Sequence, residues 1–289
     1  MKILRSATSA VALLVAGCGI ASAEPSKLWE ASGGFAQPES AVADAEGSAI
    51  YVSNVAGDAA TKDGNGYISK LTLDGKVTDE KWIEGLDSPK GLALVGTKLY
   101  VADLAQLVEI DTAKGTITKR YDAPGAKILN GISADGEGRI YVTDWPGNAI
   151  WRFENGKFEK WLESADLKNP NGILVDGDKL IVAAWGAMGA DFSTKTPGNL
   201  LTVSLADKSI ANLGSGTPIG NLDGLKAFDG ESFIVTDWVA GKTFQISRSG
   251  EAKELLTLTQ GTADLYFNQG TRTAIIPIMV EGKVVAYKF

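Results

Sequence analysis

Histidine is absent from all 289 residues. That one absence excludes Ser-His-Asp and Cys-His hydrolases, histidine-ligated zinc and histidine general bases. Cysteine occurs once, as Cys18 near the N-terminus, so the rest of the chain has neither thiol chemistry nor a disulfide. Positive charge is in deficit: 28 Lys and Arg stand against 35 Asp and Glu, a formal net charge of -7. A nucleic-acid binder releases counterions through a basic face, and this balance argues against one. After the N-terminal segment no run of 18 or more apolar residues occurs, so no transmembrane helix is expected. Helical 3.6-residue periodicity is equally hard to find. Glycine, by contrast, is plentiful at 34 residues, and 44% of the chain is hydrophobic, which suits a globular protein with many tight turns.

Residues 1–23 read as a signal peptide. Lys2 and Arg5 give a positive start, Ala10 to Gly17 an apolar run too short to span a bilayer, and Ala21-Ser22-Ala23 a small-x-small cleavage site. The expected mature chain begins at Glu24 and is secreted across the inner membrane, to the periplasm. Val15-Ala16-Gly17-Cys18 also resembles a bacterial lipobox. In that alternative the protein is a lipoprotein anchored through Cys18.

The remainder, 24–289, is repetitive. A β-branched or aromatic run recurs as Ile50-Tyr51-Val52, Leu99-Tyr100-Val101, Ile140-Tyr141-Val142, Leu180-Ile181-Val182, Phe233-Ile234-Val235 and Ala274-Ile275-Ile276. The central residues of these runs are spaced 40 to 53 residues apart. Each run is the second strand of a four-strand unit whose later strands join through turns such as Asp74-Gly75 and Asn155-Gly156. Four strands in about 40–45 residues is the arithmetic of a β-propeller, with a β-sandwich as the alternative. The sixth unit ends on its third strand, Val284 to Phe289, while Lys27 to Ser32 has no unit of its own and reads like the fourth strand Glu159 to Ser164. The expected fold is therefore all-β, a six-bladed β-propeller closed by an N-terminal strand that completes the last blade. Blades one and four carry long insertions, Asn54 to Gly66 and Ala184 to Asn199, which should rim one mouth of the central channel.

Aligning the starts of the six innermost strands places Glu39, Lys90, Asn130, Asn171, Asp223 and Asp264 at one repeated position. All are polar. Carboxylates and amide oxygens converging from separate strands suit a hard divalent cation, calcium above all, whereas zinc prefers nitrogen and sulfur ligands. Asn and Asp also cap turns at strand starts, but capping alone does not account for polarity at all six places. Asp103, Asp144 and Asp237 recur at the ends of second strands, and Trp145, Trp185 and Trp238 follow at that level. The Asp residues read as turn caps. The tryptophans read either as inter-blade packing or as an aromatic rim for a small-molecule substrate.

In these features the chain resembles the gluconolactonase family, which includes regucalcin and the luciferin-regenerating enzyme. The resemblance spans essentially 24–289 and is carried by Glu39, Asn130, Asn171 and Asp223 in identity and chain order. It implies a six-bladed propeller with an axial divalent cation held by those four residues, and hydrolysis of a lactone or related small cyclic ester. In that reading Asp223 helps to activate the attacking water, and Lys90 and the tryptophans lie near the substrate. The chain departs from the family at Ile128, where the lactonases carry a substrate-binding arginine, and at Trp145 to Asn148, where they carry a glutamate. Lys90, a cation beside a cation site, would bind an anionic substrate or pair with Glu39 or Asp264. The competing reading is a non-catalytic ligand- or protein-binding propeller of the cell envelope.

Overall fold

The computed structural model describes residues 24–44, 47–189 and 193–289. The signal segment and Cys18 lie outside the described residues. Over the described residues the strand signals are realised as six four-stranded antiparallel sheets and one two-stranded hairpin. Among the described residues the one helical element is a single 3-10 turn, Ala165–Leu167, and no helix is long and apolar enough to cross a membrane.

Each repeated apolar run becomes the second strand of its sheet: Ile50–Asn54, Lys98–Asp103, Ile140–Asp144, Lys179–Ala184, Ser232–Asp237 and Thr273–Ile278. These strands are apolar without alternation because each blade is covered on both faces by its neighbours. The core accordingly lies between blades. Tyr100 and Leu107 of blade two, for example, pack on Leu129, Ile132 and Trp151 of blade three. The axis is left to the innermost strands and to polar side chains.

The ring closes at the N-terminal strand. Ser26–Ser32 pairs antiparallel with Lys283–Lys288, Glu30 opposite Val285 and Ala31 opposite Val284. Ala31 and Trp29 join Ile275, Val284 and Ala286 of blade six against Ala41, Ile50 and Val52 of blade one. The Trp29 indole Nε1 donates to the Leu73 carbonyl at 2.9 Å, fastening the closing strand to the next blade. Closure covers the edge of Lys283–Lys288, which would otherwise be free to recruit another strand.

The innermost strands carry a device that the sequence motif only hints at. In blade one Pro38 pairs with Asn54 and Ala41 with Val52, so Glu39 and Ser40 together oppose Ser53 alone. The same extra residue occurs at Lys90-Gly91, Asn130-Gly131, Asn171-Gly172 and Asp223-Gly224. A bulge of this kind bends the strand and re-aims one side chain, here the repeated polar residue. The glycine that follows answers a close approach between blades. A Cβ on Gly131 would stand 2.3 Å from the Asn171 carbonyl oxygen, and one on Gly172 would stand 2.1 Å from that of Asp223. Both contacts are with backbone, which cannot rotate away. Gly172→Ala is therefore expected to cost about 1–3 kcal/mol as overpacking, a fall in Tm of roughly 3–10 °C for a domain of this size. An unchanged melting curve would contradict the close approach.

Candidate functional site

In blades two and three the loops that lead into the innermost strands are held by carboxylates at the ends of the second strands. Asp103 accepts the backbone N–H of Asp87 at 2.9 Å and of Ser88 at 2.7 Å. Asp144 accepts those of Lys127 and Ile128, whereas Asp237 accepts those of Val239 and Ala240 in the turn that follows its own strand. Asp237 thus caps its own turn, while Asp103 and Asp144 tie down strand starts 15 to 17 residues upstream instead of capping turns of their own. Burial pushes the Asp103 and Asp237 carboxyls up against the effect of those bonds.

With the loops fixed, Glu39, Lys90, Asn130, Asn171 and Asp223 line one axial cavity of about 270 Å³. Glu39 is 4% exposed and Asp223 3%. Burial, and then the charge of Asp223, hold the Glu39 carboxyl well above the usual range, while Lys90 acts in the opposite sense. Burial also raises Asp223, followed by repulsion from Asp264, against the pull of Lys226 and a hydrogen bond from Asn171. Glu39 Oε2 and Asp223 Oδ1 are buried without a hydrogen-bond partner. Buried carboxylate oxygens ordinarily have partners, so an orphaned pair in one cavity marks a place where a ligand, an ion or water would be bound.

The sixth position of the ring behaves differently. Lys226 Nζ donates to Asp264 Oδ1 at 2.6 Å, and Ser40 Oγ donates to Asp264 Oδ2 at 2.8 Å. Asp264 is thus satisfied within the protein and does not line the cavity. Lys90 pairs with neither Glu39 nor Asp264: its Nζ donates to Ser88 Oγ, to the Ser88 carbonyl at 3.2 Å and to the Ala59 carbonyl at 3.4 Å. Burial lowers its pKa to about 8, with Glu39 opposing that shift. Lys226, outside the cavity lining, also draws on both axial carboxyls, and no sequence signal marked it.

Trp145, Trp185 and Trp238 line the same cavity, joined by Met279. The rings of Trp145 and Trp185 meet edge to face at 5.2 Å between centroids, and Trp185 lies 6.1 Å from Trp238. Trp185 Nε1 donates to Thr194 Oγ1 at 3.0 Å, which locks its orientation. Met279 was not singled out from sequence. It follows the second strand of blade six as Trp238 follows that of blade five, and that correspondence is the signal that identifies it.

Both insertions reach this mouth. Ala59 of the blade-one loop lines the cavity, and an adjoining groove runs between Ala60, Ile128, Pro146 and Met188. The blade-four insertion contains a small hairpin, Gly186–Met188 paired with Thr194–Pro197. Asp58, in the blade-one loop, accepts hydrogen bonds from Ala60 and Thr61 of its own turn, which is the behaviour of a loop cap.

The donors are of the kind a hard cation takes, two unpartnered carboxylate oxygens and two amide side chains lining the same cavity. Among the described residues no group of three His, Cys, Asp or Glu side chains could hold a metal ion. A cation on this axis would therefore depend on the amide oxygens of Asn130 and Asn171.

Fold and cavity together define a six-bladed propeller with a polar axial site under an aromatic wall. No protein-family profile matches the chain and no curated protein matches it. Solved structures of the same architecture do. A gluconolactonase from Xanthomonas campestris superposes with a TM-score of 0.66 at 15% identity, covering 88% of this chain and 86% of that one. The virginiamycin B lyase of Staphylococcus aureus gives 0.62 at 17% identity, covering 92% and 100%. A catalytically inactive histidine-to-alanine variant of that lyase with quinupristin gives 0.61 at 14% identity, covering 92% and 99%. At these identities the likeness is one of fold.

Proposed function

We propose that the protein is an exported, divalent-metal-dependent hydrolase of a lactone or related small cyclic ester. The observation that carries this reading is the pair of buried, unpartnered oxygens, Glu39 Oε2 and Asp223 Oδ1, in one cavity. Glu39, Asn130, Asn171 and Asp223 would hold the cation, most plainly calcium, which when bound would serve as a Lewis acid for the ester carbonyl. Asp223 acts as the base. Its buried carboxyl, raised above the ordinary range, takes a proton from water as the water oxygen bonds to the carbonyl carbon. The ring C–O bond then breaks, and the proton held on Asp223 passes to the departing alkoxide. Lys90 is anchored beside the site by Ser88 and Ala59, where its charge favours an electron-rich substrate. The tryptophans exclude water and pack on the ring.

The gluconolactonase neighbour supports this reading by architecture alone. The lyase neighbour lends it less, because its inactive variant lacks one histidine and this chain has no histidine at all. Export, to the periplasm or to a Cys18-linked lipid anchor, rests on the composition of residues 1–23. Proton release from a lactone panel, measured with calcium-loaded protein and with Asp223→Asn, tests the activity. Turnover confined to the unsubstituted protein is expected, and equal rates contradict it. Ile128 in the groove wall, where the lactonases carry an arginine, favours the second reading of a non-catalytic binding propeller. That reading is marked by tight ligand binding without turnover.

A further inference from the structure

The residue that follows each second strand is apolar in all six blades: Val55, Leu104, Trp145, Trp185, Trp238 and Met279. Blades three to six contribute the four largest, and those four line the axial cavity. The site thus has two sides of opposite character. Every charged or amide group in it comes from the repeated position on the innermost strands, and the facing wall is indole, thioether and the methyl of Ala59.

We propose that this collar selects lactones whose ring substituents are hydrocarbon and rejects polyhydroxylated sugar lactones, an inference that rests on the hydrolase reading above. The polar groups suffice for the ester itself. A sugar lactone would bring further hydroxyls against the wall, where Trp185 Nε1 is already committed to Thr194. Each hydroxyl buried there without a partner weakens binding about tenfold or more, whereas each methylene buried there strengthens it about threefold to fourfold. The cavity, about 270 Å³, falls just below the ~300–1,000 Å³ typical of small-molecule sites, so the ring is compact. A substituent leaving past Trp145 meets Ile128, Pro146 and Met188 in the adjoining groove. Lys127, Asn148 and Asn169 also line that groove, so its apolar strip is narrow and suits an unbranched alkyl chain.

The test compares δ-lactones carrying alkyl chains of increasing length with a polyhydroxylated δ-lactone, using the full chain with calcium present. In parallel, the corresponding δ-lactams, which resist hydrolysis, are titrated by tryptophan fluorescence. The expected result is a kcat/KM at least about tenfold higher for the alkyl lactones, rising severalfold per methylene over the first few carbons. Trp238→Gln should erode that ratio. Equal or greater turnover of the polyhydroxylated lactone overturns the proposal while leaving the hydrolase intact. Turnover of neither, above the Asp223→Asn background, removes the hydrolase reading and leaves the lactams to decide. Tighter binding of the alkyl lactam, by about tenfold, then still supports the collar's selectivity, and equal binding overturns it.

Discussion

Asp223→Asn is expected to lower kcat/KM for a lactone at least about 100-fold, the scale of a lost general base, and to raise the Tm of the calcium-free protein. The two effects share one cause. Asp223 and Glu39 are buried carboxyls whose charged forms are disfavoured first by burial, with their mutual repulsion a further cause for Glu39. Each has an oxygen with no hydrogen-bond partner. Such an arrangement costs folding free energy that protonation relieves in part and that a bound cation would return. An amide of the same shape keeps the packing, removes one negative charge and leaves no cavity. Relief of about 1–2 kcal/mol corresponds to a gain of roughly 2–8 °C for a domain of this size. Calcium should then stabilise the variant far less than the parent. A variant that melts lower than the calcium-free parent would show that the hydrogen bond from Asn171 to Asp223 outweighs the relief of buried charge.

The second large effect concerns closure. Deleting residues 24–33 removes the fourth strand of blade six, its six register pairs to Lys283–Lys288, the Trp29 bond to Leu73 and the packing of Ala31 and Trp29 in the last seam. It also exposes the edge of Lys283–Lys288, a template for pairing with other chains. Full burial of an aromatic side chain contributes about 1.5–3 kcal/mol, and half-buried Trp29 contributes a part of that. With the strand's remaining contacts, a Tm loss of roughly 10 °C or more is expected, accompanied by self-association. Calorimetry and size-exclusion chromatography of the shortened protein check both. A monomer with an unaltered Tm would show that the ring is held without the N-terminal strand.

Where local chemistry dictates the outcome, the sequence was a sufficient guide. The six second strands lie where β-branched and aromatic residues cluster, and Lys27 to Ser32 was recognisable as a spare fourth strand. The polar ring was legible because one position repeats, and the glycines after it report how closely the blades approach. What escaped depends on side-chain direction and distant partners. Lys226 and Asp264 are 38 positions apart, and no local signal couples them. Lys90 could have turned towards Glu39; only the placement of Ser88 and Ala59 sends it elsewhere. Met279 was hidden because blade six ends its second strand on Pro277-Ile278 rather than on the Asp that marks Trp145 and Trp238. The hairpin within the blade-four insertion has strands of three and four residues, Gly186–Met188 and Thr194–Pro197, too short for an alternating pattern to register.

Central to the function is whether the axial oxygens bind a divalent cation. Isothermal titration of calcium into the purified, chelator-stripped protein measures this directly. One saturable site per chain is predicted, weakened at least about tenfold by Glu39→Gln, because removing ligand charge is the main lever on calcium affinity. Absence of saturable binding to a folded, metal-free chain, or binding that Glu39→Gln leaves unchanged, would contradict the axial metal site and with it the hydrolase built upon it.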